Sequence, residues 1–161
     1  MLKKFLIFLL LVLVAIQFIH PKHNESDGDQ SNYIGKRYTV PANVQAILTK
    51  ACNDCHSNNT SYPWYCTFQP VDWWINKHVR NGKKGLNLDE YLNRSLRSQY
   101  HKLEEIAEQV KENKMPLNSY TWIHKDAILT DAEKATLINW TETVQDTLKA
   151  KYPIDSLIRK K

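Results

Sequence analysis

Apolar positions along this chain recur at helical spacing and nowhere alternate in twos. Phe5 to Ile19 is a run of fifteen residues in which Gln17 alone is polar, so a helix built from it has no polar face to turn toward water. Residues 23–38 are polar, carry two of the four glycines and lack period, and read as a tether. Val44, Ile47, Leu48 and Ala51 then fall at i, i+3, i+4 and i+7, predicting a helix that opens near Pro41 and runs into Cys52. A loop dense in Asn, Ser, Thr, Pro and aromatic residues continues to Pro70. Val71 to Asn81 reads as a short helix with Trp74, Ile75, His78 and Val79 on one side, stopped by Gly82. From Asp89 to Asn113, Leu92, Leu96, Tyr100, Leu103, Ala107 and Val110 recur mostly at steps of three or four, until Lys114-Met115-Pro116 ends the helix. Thr130-Asp131-Ala132-Glu133 is a capping box for a last helix through Leu137, Trp140, Val144 and Leu148 to Pro153. The expected fold is all-α, with long loops and no internal repeat.

Composition narrows the class. With 161 residues, 42% of them hydrophobic and 24% charged, the chain has material for one domain of ordinary size. The net charge of +5 is an end effect: without Lys3, Lys4, Arg159, Lys160 and Lys161, basic and acidic residues are equal in number. A nucleic-acid footprint is therefore not expected. The glycines, Gly28, Gly35, Gly82 and Gly85, make no nucleotide-binding loop and no nucleophile elbow. Lys3 and Lys4 before the apolar run hold the N-terminus in the cytoplasm and send the rest of the chain across the inner membrane. No A-x-A site follows the run, so residues 1–22 are expected to stay as an anchor with the domain facing the periplasm of a bacterial cell envelope. Cleavage and release as a signal peptide is the alternative. The organisation expected is this segment, the tether at 23–38, a domain at 39–152 and a basic tail at 153–161.

Cys52-Asn53-Asp54-Cys55-His56 is the C-x-x-C-H pattern of covalent haem c attachment. Cysteines three apart at a helix end lie about one turn apart on one face, a reach that suits the two vinyl groups of a haem. His56 then follows as the proximal ligand of the iron. In an exported chain this pattern is strong. The distal ligand is open to Met115, His78, His101 and His124; Met115 is favoured as the one internal methionine, preceding Pro116, and His78 is the alternative. His101 and His124 read as surface residues, while His20 and His23 lie by the membrane. A sulfur ligand raises the reduction potential. A thioredoxin-like pair wants a βαβ unit that is missing, and a zinc site wants a second ligand pair. Cys66 has no mate and reads as a buried apolar residue, with an intermolecular bridge as the alternative. Tyr62, Trp64, Tyr65, Trp73, Trp74, Trp122 and Trp140 are expected to wall the porphyrin from water. Arg80, Lys83 and Lys84 read as a solvated turn.

The block CNDCHSNNTSYPWY, the stretch QPVDWWINKHVRNGKKGLN, the KMP turn and LINW in the final helix together resemble the bacterial haem-binding domain family, relatives of the monohaem class I cytochromes c. The resemblance runs from Pro41 to Leu148. It implies covalent haem at Cys52 and Cys55, His56 as proximal and Met115 as distal ligand, and a cytochrome c-like helical domain behind a short N-terminal membrane segment. The broader cytochrome pattern carries a glycine in the first helix where it crosses the last, and no glycine stands between Val44 and Leu48. The function expected is single-electron transfer among redox partner proteins of the envelope, by a carrier rather than an enzyme. The alternatives are a haem sensor or peroxidase-like protein with an open or switchable sixth position, and a zinc or thiol-redox module.

Overall fold

Each periodic stretch forms a helix, and packing decides where each one stops. The computed structural model describes residues 1–158, so the Arg159–Lys161 end of the basic tail lies outside the described residues. The regular structure among them is helical: α1 (Leu2–Ile16), α2 (Ala42–Ala51), α3 (Asn53–His56), α4 (Val71–Gly85), α5 (Leu96–Lys111), α6 (Asn118–Thr121), α7 (Asp131–Lys151) and α8 (Ile154–Leu157), with short 3₁₀ turns between. The core lies where α5 and α7 run along each other, with α2 and α8 closing its ends. Leu48, Leu103, Leu137 and Leu148 are almost wholly buried there, each side chain contributing about 1.5–3 kcal/mol. Trp140 belongs to this core, and its indole N–H donates to the Thr39 carbonyl at 3.0 Å.

Four boundaries differ from the sequence expectation, each for a local reason. Pro41 is the N-cap of α2 rather than its first residue, held in an extended conformation. α4 runs through Gly82 to Gly85, because Gly82 is there for a close approach and not for a turn (below). α5 begins at Leu96, where the Ser95 hydroxyl caps the Ser98 N–H; residues 91–93 form a separate 3₁₀ turn. α5 ends before Pro116 because Asn113 adopts a left-handed conformation (φ 57°). The Asn113 N–H donates to Val110 and the Lys114 N–H to Gln109, a Schellman closure that uses up the last carbonyls. The capping box forms as expected, with Thr130 and Glu133 satisfying each other's backbone N–H groups.

The segment expected to be a loose tether packs on the domain. Ile34 is fully buried in the core and Tyr38 nearly so, and the Ile34 N–H donates to Leu88 O at 2.9 Å. Two apolar residues among polar neighbours set no period, so the pattern hid them. Part of the expected tail behaves likewise, since Leu157 of α8 is buried against the core. α1 does the opposite: none of its residues is buried. Its fifteen residues span about 22 Å. No helix among the described residues is long and apolar enough to cross a membrane.

One buried amide ties three elements. Gln99 accepts from the Tyr38 hydroxyl at 2.8 Å and donates to Arg94 O at 2.7 Å, while its own carbonyl accepts from the Tyr91 hydroxyl. Gln99→Leu leaves the Tyr38 hydroxyl without its acceptor, and thermal or denaturant unfolding should show a loss of about 1 kcal/mol.

Candidate functional site

α2 ends at Ala51, and Cys52 leaves helical geometry (φ −126°, ψ −45°) before α3 restarts the coil for one turn. The Cys55 and His56 N–H groups both return to Cys52 O, at 3.1 and 2.9 Å, which sets the two thiols one turn apart. Both thiols are free. Burial, with help from Cys55, pushes the Cys52 thiol up to about 12; burial, with help from Asp54, pushes Cys55 up to about 11. Each is therefore a neutral S–H at neutral pH in the metal-free chain.

His56 is held from behind. Its Nδ1 lies 3.1 Å from Gly82 O and 3.0 Å from Leu86 O. Both partners are carbonyls and can only accept, so Nδ1 carries the proton and Nε2 keeps its lone pair. Burial lowers the imidazole's proton affinity, which favours this neutral form. A ring anchored through one nitrogen and free at the other is the arrangement of a histidine metal ligand. The anchor depends on how closely α4 approaches α3. A Cβ on Gly82 would sit 2.6 Å from Cys55 O and 3.0 Å from Cys55 Cβ, so only glycine allows this contact.

Cys52, Cys55 and His56 open into a cavity of about 340 Å³, within the usual range of about 300–1,000 Å³ for ligand sites. Its walls are mainly apolar, with Leu48 and Leu86 beside the motif and Ile106 and Val110 on α5. Met115 lines the same cavity, from the segment after α5. The Schellman closure fixes that segment, because the Met115 N–H also reaches Gln109 O, at 3.2 Å. His78 borders the cavity too; its Nδ1 is 2.8 Å from Trp74 O, so Nε2 has no partner on its own helix. The structure thus brings Cys52, Cys55, His56, Met115 and His78 to one space. His101 stays outside, exposed and paired with Glu104 and Glu105. His124 is half-buried rather than a surface residue, accepting from or donating to the Tyr65 hydroxyl at 2.6 Å and stacked on Tyr120 at 4.2 Å.

The aromatic wall expected from the sequence is a correction. None of the seven residues Tyr62, Trp64, Tyr65, Trp73, Trp74, Trp122 and Trp140 lines the main cavity. Trp64 and Trp122 are 76% and 70% exposed, Trp140 packs in the core, and Tyr65 and Trp74 border a separate 70 Å³ space beside buried Cys66. Tyr120 is the aromatic at the main cavity. Its hydroxyl donates to Asp54 Oδ2 at 2.6 Å, and burial together with that carboxylate keeps the phenol protonated. The Tyr120 contact was missed because it follows the KMP turn by four residues and carries no pattern of its own. Lys102, Ile106 and Val110, which also line the cavity, sit four apart on α5, a stripe the sequence does contain. Arg80, Lys83 and Lys84 are in helix α4 rather than a turn, and Lys83 donates to Asn24.

The polar residues after the motif are scaffold. Asp54 O accepts from Thr60 Oγ1 and Asp54 Oδ1 from the Ser61 N–H, while the Asn58 amide bridges Gln30 and Glu90 and accepts from Asn87. Among the described residues no group of three or more His, Cys, Asp or Glu side chains is arranged to hold a metal ion, which leaves a structural zinc site without its ligand set. Two neutral thiols, an imidazole with a free Nε2, a thioether and an apolar cavity fit a haem. The model of the haem-binding domain matches residues 11–143, which reaches back through the supposed tether into α1. No curated protein and no solved structure matches the chain. The chain belongs to the haem-binding domain family.

Proposed function

We propose that this protein is a membrane-tethered monohaem c-type cytochrome of the bacterial cell envelope, passing single electrons between redox partner proteins on the periplasmic side. The observation that supports it most is His56, anchored by Gly82 and Leu86 with Nε2 free, directly after two thiols one turn apart and in one cavity with Met115. A bound haem supplies an iron that gains and loses one electron. The chain's own residues do the rest. Cys52 and Cys55 would hold the group covalently, each by addition of its S–H across a vinyl group, which needs no leaving group. His56 Nε2 and the Met115 sulfur would hold its iron, and Leu48, Leu86, Ile106 and Val110 would keep water away, which would favour the charge state with less net charge. The tethering role falls to α1, whose apolar surface meets none of the domain's core and has lipid as its natural cover.

Produced in a host with haem-maturation machinery, the intact protein should be red, bind no carbon monoxide when reduced, and titrate as one reversible one-electron couple. Colourless protein would end this reading. Met115→Ala should remove the methionine-to-iron charge-transfer band and let carbon monoxide bind. A second reading rests on His78, which reaches the same cavity with Nε2 unpartnered on its helix. If Met115→Ala leaves the spectrum unchanged and His78→Ala alters it, His78 is the distal ligand. Carbon monoxide binding by the unmutated protein identifies an open site, as in a sensor or peroxidase-like protein.

A further inference from the structure

α1 does not end in a loose linker. Gln17 Oε1 accepts from the Gln69 N–H at 2.9 Å, and the Gln17 amide donates back to Gln69 O at 3.3 Å. Ile19 O accepts from both the Gln69 side chain and the Trp73 indole, each at 2.9 Å. His20 lies 3.0 Å from the wholly buried carboxylate of Asp72, His23 lies 3.4 Å from its other oxygen, and Asn76 donates to Lys22 O at 3.1 Å. Gln17, Ile19, His20, Lys22 and His23 are thereby held to Gln69 and to the first turns of α4. The domain cannot stand away from whatever surface holds α1.

The surface around this junction is apolar and open. Phe18 and Ile19 are exposed at the end of α1, and Phe68, Val71 and Trp73 are exposed beside Gln69. Trp64 packs edge-on against Phe68, with ring centres 6.2 Å apart, and extends the patch. Outward-facing Trp and Phe next to an apolar helix are what the boundary between lipid headgroups and acyl chains selects. Length points the same way. α1 spans about 22 Å, against a hydrocarbon core of about 30 Å. A short apolar helix is accommodated by local thinning of the bilayer or by snorkelling of its flanking residues, and either draws the structure at its end toward the interface.

We propose that Trp64, Phe68, Val71 and Trp73 form a second membrane contact that seats the domain in the lipid interface beside the exit of α1, fixing its orientation on the bilayer. The inference rests on α1 being membrane-bound. Lipid is the occupant because the patch is continuous with α1 and pinned to it, so membrane binding by one presents the other to the same surface.

The test uses the full-length haem-loaded protein with vesicles of phosphatidylcholine and phosphatidylglycerol. Trp64→Cys and, separately, Phe68→Cys are labelled with a polarity-sensitive fluorophore, with Glu142→Cys on exposed α7 as reference and the unmutated chain as a check that buried Cys66 stays unlabelled. The expected result is blue-shifted emission at positions 64 and 68, quenched about twofold or more by brominated lipid, with a water-like signal at 142. Flotation with the vesicles but water-like emission at both 64 and 68 overturns the second contact and leaves the α1 anchor intact. Protection from aqueous iodide without quenching by brominated lipid overturns it in favour of a protein partner, such as a second copy. Failure to float overturns the anchor and the patch together.

Discussion

Cys52→Ser combined with Cys55→Ser should abolish haem that survives denaturation, while either substitution alone should keep it. The two thiols are one helical turn apart in the lining of one cavity; under the proposed attachment each would form its own thioether, and one bond is enough to hold the group through a denaturing gel. The double variant keeps the His56 and Met115 donors and the apolar walls, and any haem it takes up should leave in acid acetone. Cys66→Ser should change nothing in this assay, because Cys66 is buried outside the main cavity. Haem staining after denaturing electrophoresis reads all four variants. Retention in the double variant would show that the attachment is not at these cysteines.

Gly82→Ala should destabilise the protein by about 2 kcal/mol despite the better helix propensity of alanine. The new methyl group meets the Cys55 backbone at 2.6 Å, and backbone cannot swing aside as a long side chain can. α4 must move off α3, and because Gly82 O is one of the two anchors of His56 Nδ1, the ring loses its alignment with the cavity. Haem loading should fall along with the unfolding midpoint. Gly85→Ala is the control: a Cβ there meets nothing within 4 Å, and stability should stay the same or rise by about 0.5 kcal/mol. Equal behaviour of the two variants would remove Gly82 from the account of the site.

The candidate site was legible in the sequence where its chemistry depends on local spacing. Cysteines three apart followed by histidine need only one helical turn, and the capping box of Thr130 and Glu133 needs only four residues. The aromatic residues were misread for a related reason: proximity to the motif along the chain was taken for proximity in space. The loop that carries Trp64 is fastened outward through Asp54 and Thr60, so its ring faces away from the cavity, while Tyr120 arrives from a distant segment. Ile34 and Tyr38 were hidden because a core contact made by an irregular segment leaves no period to detect.

By itself the sequence determined the helical class, the cysteines and histidine at 52, 55 and 56, and an apolar N-terminal helix, since each follows from residue type and short-range geometry. The tertiary structure alone decided that Met115 and His78 border the same cavity, that Gly82 permits the contact which anchors His56, and that the segment from Gln17 to His23 is pinned to Gln69 and α4. These depend on how close two helices can come and on which backbone carbonyls are left to accept, and both are set by the packing of segments distant in the chain.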